Sequence, residues 1–84
     1  MRLDKYLKVS RLIKRRTVAN DACDSARISV NGKPAKASYA VKIGDQITIG
    51  FASKSLTVRV VDIKETTKKS ESQGMYEVIS ETNA

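Results

Sequence analysis

Seven of the first sixteen residues are cationic, namely Arg2, Lys5, Lys8, Arg11, Lys14, Arg15 and Arg16, and Asp4 is the only anion among them. Cations at this density repel one another unless an anion neutralises them, so the chemistry on offer is recognition of a polyanion rather than bond making. The planar fork of arginine can hold a phosphate through two hydrogen bonds and can stack on a base, whereas lysine supplies mainly a point charge. Arg2, Arg11, Arg15 and Arg16 are therefore expected to make the defined contacts, with Lys5, Lys8 and Lys14 supplementing the field. Arg2, Lys5 and Lys8 recur every third residue, which puts them on adjoining positions of one helical face.

The excess charge is confined to one part of the chain. Residues 1–36 carry ten basic and three acidic side chains, net +7, and residues 37–84 carry six of each. Charge that served only solubility would be spread more evenly, so the segregation points to a surface with a polyanionic partner. A solvated basic face with no partner is the plainer alternative. A lipid surface fits less well, because the apolar stripe beside the cations is short and is needed for the core.

Catalysis has little to work with. The chain has no histidine, which excludes a Cys/His zinc site, and its single cysteine, Cys23, has no intramolecular disulfide partner and reads as a small buried hydrophobe. Neither a phosphate-binding glycine loop nor a nucleophile elbow is present. Asp45 and Asp62 could be imagined as an acid pair, but Gly44-Asp45 is a turn signal first. No catalytic residue, metal or cofactor is expected. Tyr6, Tyr39, Phe51 and Tyr76 are the only aromatic residues. They are too few for a single-strand stacking platform and are expected in the core, so RNA read by shape and phosphate geometry fits better.

The elements that must position the cations follow from spacing. Leu3, Tyr6 and Leu7 recur at i, i+3 and i+4, which predicts a short helix over residues 3–9. Thr17 is a good N-cap for a second helix, with Asp21 in its N-terminal half and Val18, Ala19, Ala22, Cys23 and Ala26 as a small-residue packing face. Ile28 and Val30 form a strand that ends at Asn31-Gly32, a strong turn signal that Lys33-Pro34 continues. Residues 46–51 read as a further strand. The alternation over Leu56, Val58 and Val60 shifts near Val60–Val61, which suggests a bulge there. Met75 to Ile79 supply a last strand, and Ser80 to Ala84 a frayed tail.

With 84 residues, the chain fits one domain. It is expected to be α+β, two short N-terminal helices packed on a small, mostly antiparallel sheet. Residues 1–64 are expected to form the RNA-binding part, 65–74 a mobile polar loop, and 75–84 the final strand and tail of the same domain. No signal core or membrane-length apolar run is seen, so a cytoplasmic monomer is expected.

The residues carry a family resemblance. The string Arg2-Leu3-Asp4-Lys5-Tyr6-Leu7, Ser10-Arg11, Arg15-Arg16-Thr17, Ala19, Arg27 to Lys33, Ser38-Tyr39, Val41-Lys42 and Gly44-Asp45 resembles the S-four RNA-binding domain, or alpha-L RNA-binding motif. The match spans residues 1 to about 49. It departs at Ala26, where the family usually has glycine before the strand; alanine would be strained there if the backbone needs a positive φ. With no catalytic domain following, the chain looks like the free-standing members, the ribosome-associated heat-shock protein and the RqcP-like proteins of bacterial ribosome-associated quality control.

That resemblance implies binding to the stalled large ribosomal subunit, through rRNA and P-site peptidyl-tRNA, in support of alanine tailing by an RqcH-type factor. Its alternatives are a heat-shock factor that recycles large subunits carrying peptidyl-tRNA, or a targeting subunit for a separate RNA-modifying enzyme. The arginines would clamp rRNA and tRNA, and Asp4 would orient Arg2 or another arginine. Arg16→Ala is expected to weaken binding and leave the melting temperature nearly unchanged.

Overall fold

The helical spacing of Leu3, Tyr6 and Leu7 is realised in helix α1 (Leu3–Val9), which turns all three into the core with no residual exposure. This is seen in a computed structural model that describes residues 1–51, 53–64 and 73–83. Helix α2 (Arg16–Asp24) starts earlier than the Thr17 cap predicts. Arg15 is extended (φ −122°, ψ 135°), occupies the N-cap position and makes no side-chain capping bond. Thr17 thus lies inside the first turn, and Asp21 falls in the second half of the helix. Of the expected small-residue face, Ala19 and Cys23 are buried and Ala22 packs beside them, while Val18 and Ala26 stay exposed.

Both helices end on a left-handed residue that is not glycine. After α1, Arg11 has φ 65°, and its amide donates to the Lys8 carbonyl at 3.0 Å. After α2, Ala26 has φ 59°; its amide donates to the Cys23 carbonyl (3.1 Å) and that of Arg27 to the Ala22 carbonyl (2.9 Å). This pair of bonds is the Schellman arrangement, which satisfies the last helical carbonyls and normally employs glycine.

The strands form one antiparallel sheet in the order β2 (Lys33–Pro34), β1 (Ile28–Val30), β3 (Gln46–Gly50), β4 (Lys54–Val60), β5 (Tyr76–Asn83). Strand β1 pairs on one side with β2 and on the other with β3. Asn31 (φ 53°) and Gly32 (φ 83°) make the two-residue β1–β2 turn, the positive-φ pair that a tight hairpin of this twist demands. Lys33 and Pro34, expected to prolong the turn, instead pair with Val30 and Ser29. Proline is tolerated because β2 is an edge strand. Ile47 and Ile49 of β3, with Val58 and Val60 of β4 (Lys54–Val60), face the helices and are buried, whereas Thr48 and Thr57 share a hydroxyl hydrogen bond at 3.0 Å.

The C-terminal part differs most from expectation. Strand β4 ends at Val60, and Val61 turns out to donate its amide to the Met75 carbonyl. The register break lies elsewhere, between Thr57↔Ser80 and Val58↔Val78, so the extra residue is Ile79 on the partner strand. That strand, β5 (Tyr76–Asn83), does not fray at Ser80 but pairs along Lys54–Thr57. Ion pairs Lys54–Glu81 (3.0 Å) and Arg59–Glu77 (2.6 Å) flank the ladder. Gln73–Met75 form a 3₁₀ turn ahead of β5, and the remainder of the expected polar loop, 65–72, lies outside the described residues. Met75 is fully buried, and its carbonyl accepts the Tyr6 hydroxyl at 2.8 Å, joining the first helix to the turn that leads into β5.

Candidate nucleic-acid interface

The basic arm is fastened before any side chain acts. Arg2 bridges Ala40, the Val41 amide donates to the Met1 carbonyl (2.9 Å), and the amides of Leu3 and Asp4 donate to the carbonyls of Tyr39 (2.8 Å) and Ala37 (3.2 Å). These bonds supply partners for first-turn donors of α1 that no helix can satisfy internally.

Asp4 then organises the cations around it. Its side chain is 3% exposed. Oδ1 accepts from Arg2 Nε (3.2 Å) and the Lys5 amide (2.9 Å), and Oδ2 accepts from Arg16 Nε (3.3 Å) and Asn20 Nδ2 (3.4 Å). Burial alone would raise the Asp4 pKa, but the bonds from Arg16, Arg2, the Lys5 amide and Asn20 together outweigh it and hold the carboxyl below its ordinary value. Arg2 precedes α1 as its extended N-cap residue and Arg16 opens α2, and both stay about half exposed. Each therefore keeps donors free to reach solvent or a phosphate while Nε is fixed by Asp4.

The other expected cations are distributed around this pair. Lys5 is half-buried on α1, Lys8 is exposed in its last turn, Arg11 is the left-handed residue closing it, and Lys14 and Arg15 are exposed in the linker to α2. Two further cations, not singled out from the sequence, join them. Lys36 shares a groove with Arg2, Asn20 and Ser38. Arg27 lines another with Lys14. The raw count of ten cations in residues 1–36 included both, but only the tertiary arrangement sets them beside the arm.

A second buried carboxylate fixes the loop that clasps α1. Asp45 accepts from Tyr39 Oη (2.8 Å), the Lys42 amide (2.9 Å) and Asn31 Nδ2 (3.1 Å), while Asn31 Oδ1 accepts the Gln46 amide (3.0 Å). Burial pushes the Asp45 pKa up, yet the Lys42 amide, Tyr39 and Asn31 lower it by more. The hydrogen bond to Asp45 in turn raises the Tyr39 pKa. Asp45 is thus a turn-organising residue, as the Gly44-Asp45 pair indicates. Cys23 is buried, and its thiol is pushed up to about 11 by burial and by the charges of Asp4 and Asp24. Of the aromatic residues only Tyr6 is fully buried; Phe51, expected in the core, is 40% exposed.

The model of the S4 domain matches residues 1–47. The chain belongs to the S4 domain family. The matched segment carries the helices, the clasp, β1, β2 and the start of β3, and the rest of β3 with β4 and β5 extends the sheet beyond it. A Streptococcus pneumoniae protein named "RQC P-site tRNA stabilizing factor" is 58% identical over 82 residues, covering 98% of this chain and 93% of that protein. A Bacillus subtilis protein of the same name is 57% identical, covering 96% and 94%. Among solved structures, the trimeric structure of Vibrio cholerae heat shock protein 15 superposes with a TM-score of 0.88 at 31% identity, covering 95% of this chain and 82% of that one. Two helices on an antiparallel sheet are thus the shared architecture. Among the described residues of this S4 domain protein, no helix is long and apolar enough to cross a membrane, and no group of three or more His, Cys, Asp or Glu could hold a metal.

Proposed function

We propose that the chain is a non-enzymatic, cytoplasmic RNA-binding factor of ribosome-associated quality control. On this reading it binds the stalled large ribosomal subunit through rRNA and P-site peptidyl-tRNA and supports alanine tailing by an RqcH-type factor. The observation that carries it is the 58% identity to a P-site tRNA stabilizing factor along almost the whole of both chains. Residues 1–64 supply the RNA-binding part, and the final strand completes the same domain.

The contacts are assigned to Arg2, Lys5, Lys8, Arg11, Lys14, Arg15 and Arg16, with Asp4 positioning Arg2 and Arg16. Support comes from the shared carboxylate, which holds Arg2 through Nε and Nη2 and Arg16 through Nε alone, and leaves both side chains about half exposed. A large-subunit recycling role of the heat-shock kind is the second reading, favoured by the close superposition on heat shock protein 15 but at 31% identity only. The chain acts as a monomer in the first reading, whereas that relative was solved as a trimer.

The deciding experiment tracks the tagged protein on native ribosomal particles. Enrichment on large subunits that carry peptidyl-tRNA and an RqcH-type factor, released by high salt and reduced in Arg16→Ala, is the expected result. Enrichment only on heat-stalled subunits supports the second reading, and absence from both counts against an RNA role on the ribosome.

A further inference from the structure

Beside the exposed cations lies an apolar groove, with Lys14 at its edge. Leu12 and Lys14 of the linker, Val18 of α2, Arg27, and Ile49 and Phe51 line a space of about 290 Å³. Val18 is 51% and Phe51 40% exposed, and both line the groove. No carboxylate lines the groove, its two charged residues are both cations, and Lys54 Nζ stands 5.7 Å from the centre of the Phe51 ring.

We propose that this groove takes up one unstacked nucleobase of the RNA whose phosphates the arm neutralises, an inference that rests on the RNA-binding reading above. Size favours a base: the space is at the small end of ligand pockets, roughly 300–1,000 Å³. It has room for a planar ring but not for the several successive anchors that an amphipathic helix lays into a groove. Charge favours a nucleotide, because Lys14 and Arg27 would neutralise the phosphates on either side of the inserted ring. Continuity favours the same RNA, since Leu12 and Lys14 belong to the short linker that also carries Arg11 and Arg15. Exposed Phe51 offers an aromatic surface, and every base has a π-face, so the groove selects an extruded nucleotide rather than a particular letter.

The test titrates the full chain against two RNA hairpins of identical stem, one fully paired and one with a single extruded nucleotide. The extruded hairpin is expected to bind about five- to hundredfold more tightly. Phe51→Leu, which keeps an apolar side chain at a partly exposed position, removes that preference and leaves affinity for the paired hairpin as it was; Phe51→Trp retains it. A 4-thiouridine at the extruded position crosslinks within residues 12–18 or 49–51.

Equal affinity for the two hairpins, or a preference that survives Phe51→Leu, overturns the groove assignment while leaving the RNA interface standing. Failure to bind either hairpin overturns both. An acidic amphipathic peptide that shifts the methyl resonances of Val18 and Ile49, where the extruded hairpin does not, assigns the groove to a protein partner and overturns the proposal as well.

Discussion

Arg16 Nε, at the start of the second helix, donates to Asp4 Oδ2, in the first turn of the first helix, at 3.3 Å. An anion inside the most cationic part of the molecule therefore serves to aim cations rather than to dilute them.

Asp4→Asn distinguishes these two roles by sign. If Asp4 only reduced the local field, its removal would strengthen RNA binding. As a positioning residue its loss weakens binding, and stability falls by about 1–3 kcal/mol because donors lose a charged acceptor. Urea unfolding and RNA titration on the same variant separate the two effects.

Arg16→Ala has a structural consequence that its exposed position conceals. It takes one donor from a carboxylate that is only 3% exposed, so in place of a nearly unchanged melting temperature the expected cost is about 1 kcal/mol, with Arg2, Asn20 and the Lys5 amide still bonded. RNA affinity should fall by about 1–3 kcal/mol, as for loss of a fork-like contact. Lys14→Ala, by contrast, should leave stability alone and reduce the salt slope of binding by about 0.7–0.9.

The pH dependence follows from Asp4 and Asp45, both held below the ordinary carboxyl value of 3.8. In the unfolded chain they regain that value, so the stability they contribute is present above it and is lost as pH falls through the lower folded values. The urea midpoint should be level with respect to these groups above about pH 5 and drop on acidification. Asp4→Asn should make the acid limb shallower; an unchanged limb would mean that Asp4 is not ionised as described.

The two left-handed helix ends should respond alike to glycine in stability and differently in RNA binding. Ala26→Gly relieves a positive-φ alanine and should stabilise the fold by about 1 kcal/mol without altering RNA affinity. Arg11→Gly should stabilise by a similar amount, about 1 kcal/mol, yet weaken RNA binding because a cation is lost. Paired thermal melts and titrations check both, and a destabilised Ala26→Gly would contradict the backbone geometry.

Much of the fold was legible where local chemistry decides it. The α1 stripe and the Asn31-Gly32 turn are set by periodicity and by tolerance of positive φ, and both sit where they were expected. The start of α2 is not legible from side-chain chemistry, because its N-cap, Arg15, makes no side-chain bond while Thr17, a good capping residue, lies within the first turn. The second half of β5 has little apolar alternation and exists through its ladder to β4, a pairing between segments far apart in sequence. The cationic arm itself could be read from composition. Its organisation could not: Asp4 meets Arg16 across 12 residues, and Lys36 and Arg27 join only once the chain has folded back. Phe51 looked like core by residue type, but exposure is decided by where β3 ends.

The hydrogen bond from Tyr6 to the Met75 carbonyl spans 69 positions. Closing so long a loop carries an entropy cost that must be met before the contact returns anything, and non-local contacts of this kind slow folding. The first helix, which carries Lys5 and Lys8, thus reaches its final seat only when the turn at Gln73–Met75 has formed. Until Met75 is in place, the Tyr6 hydroxyl lacks this acceptor, so the seating of the first helix depends on a segment far away in the chain.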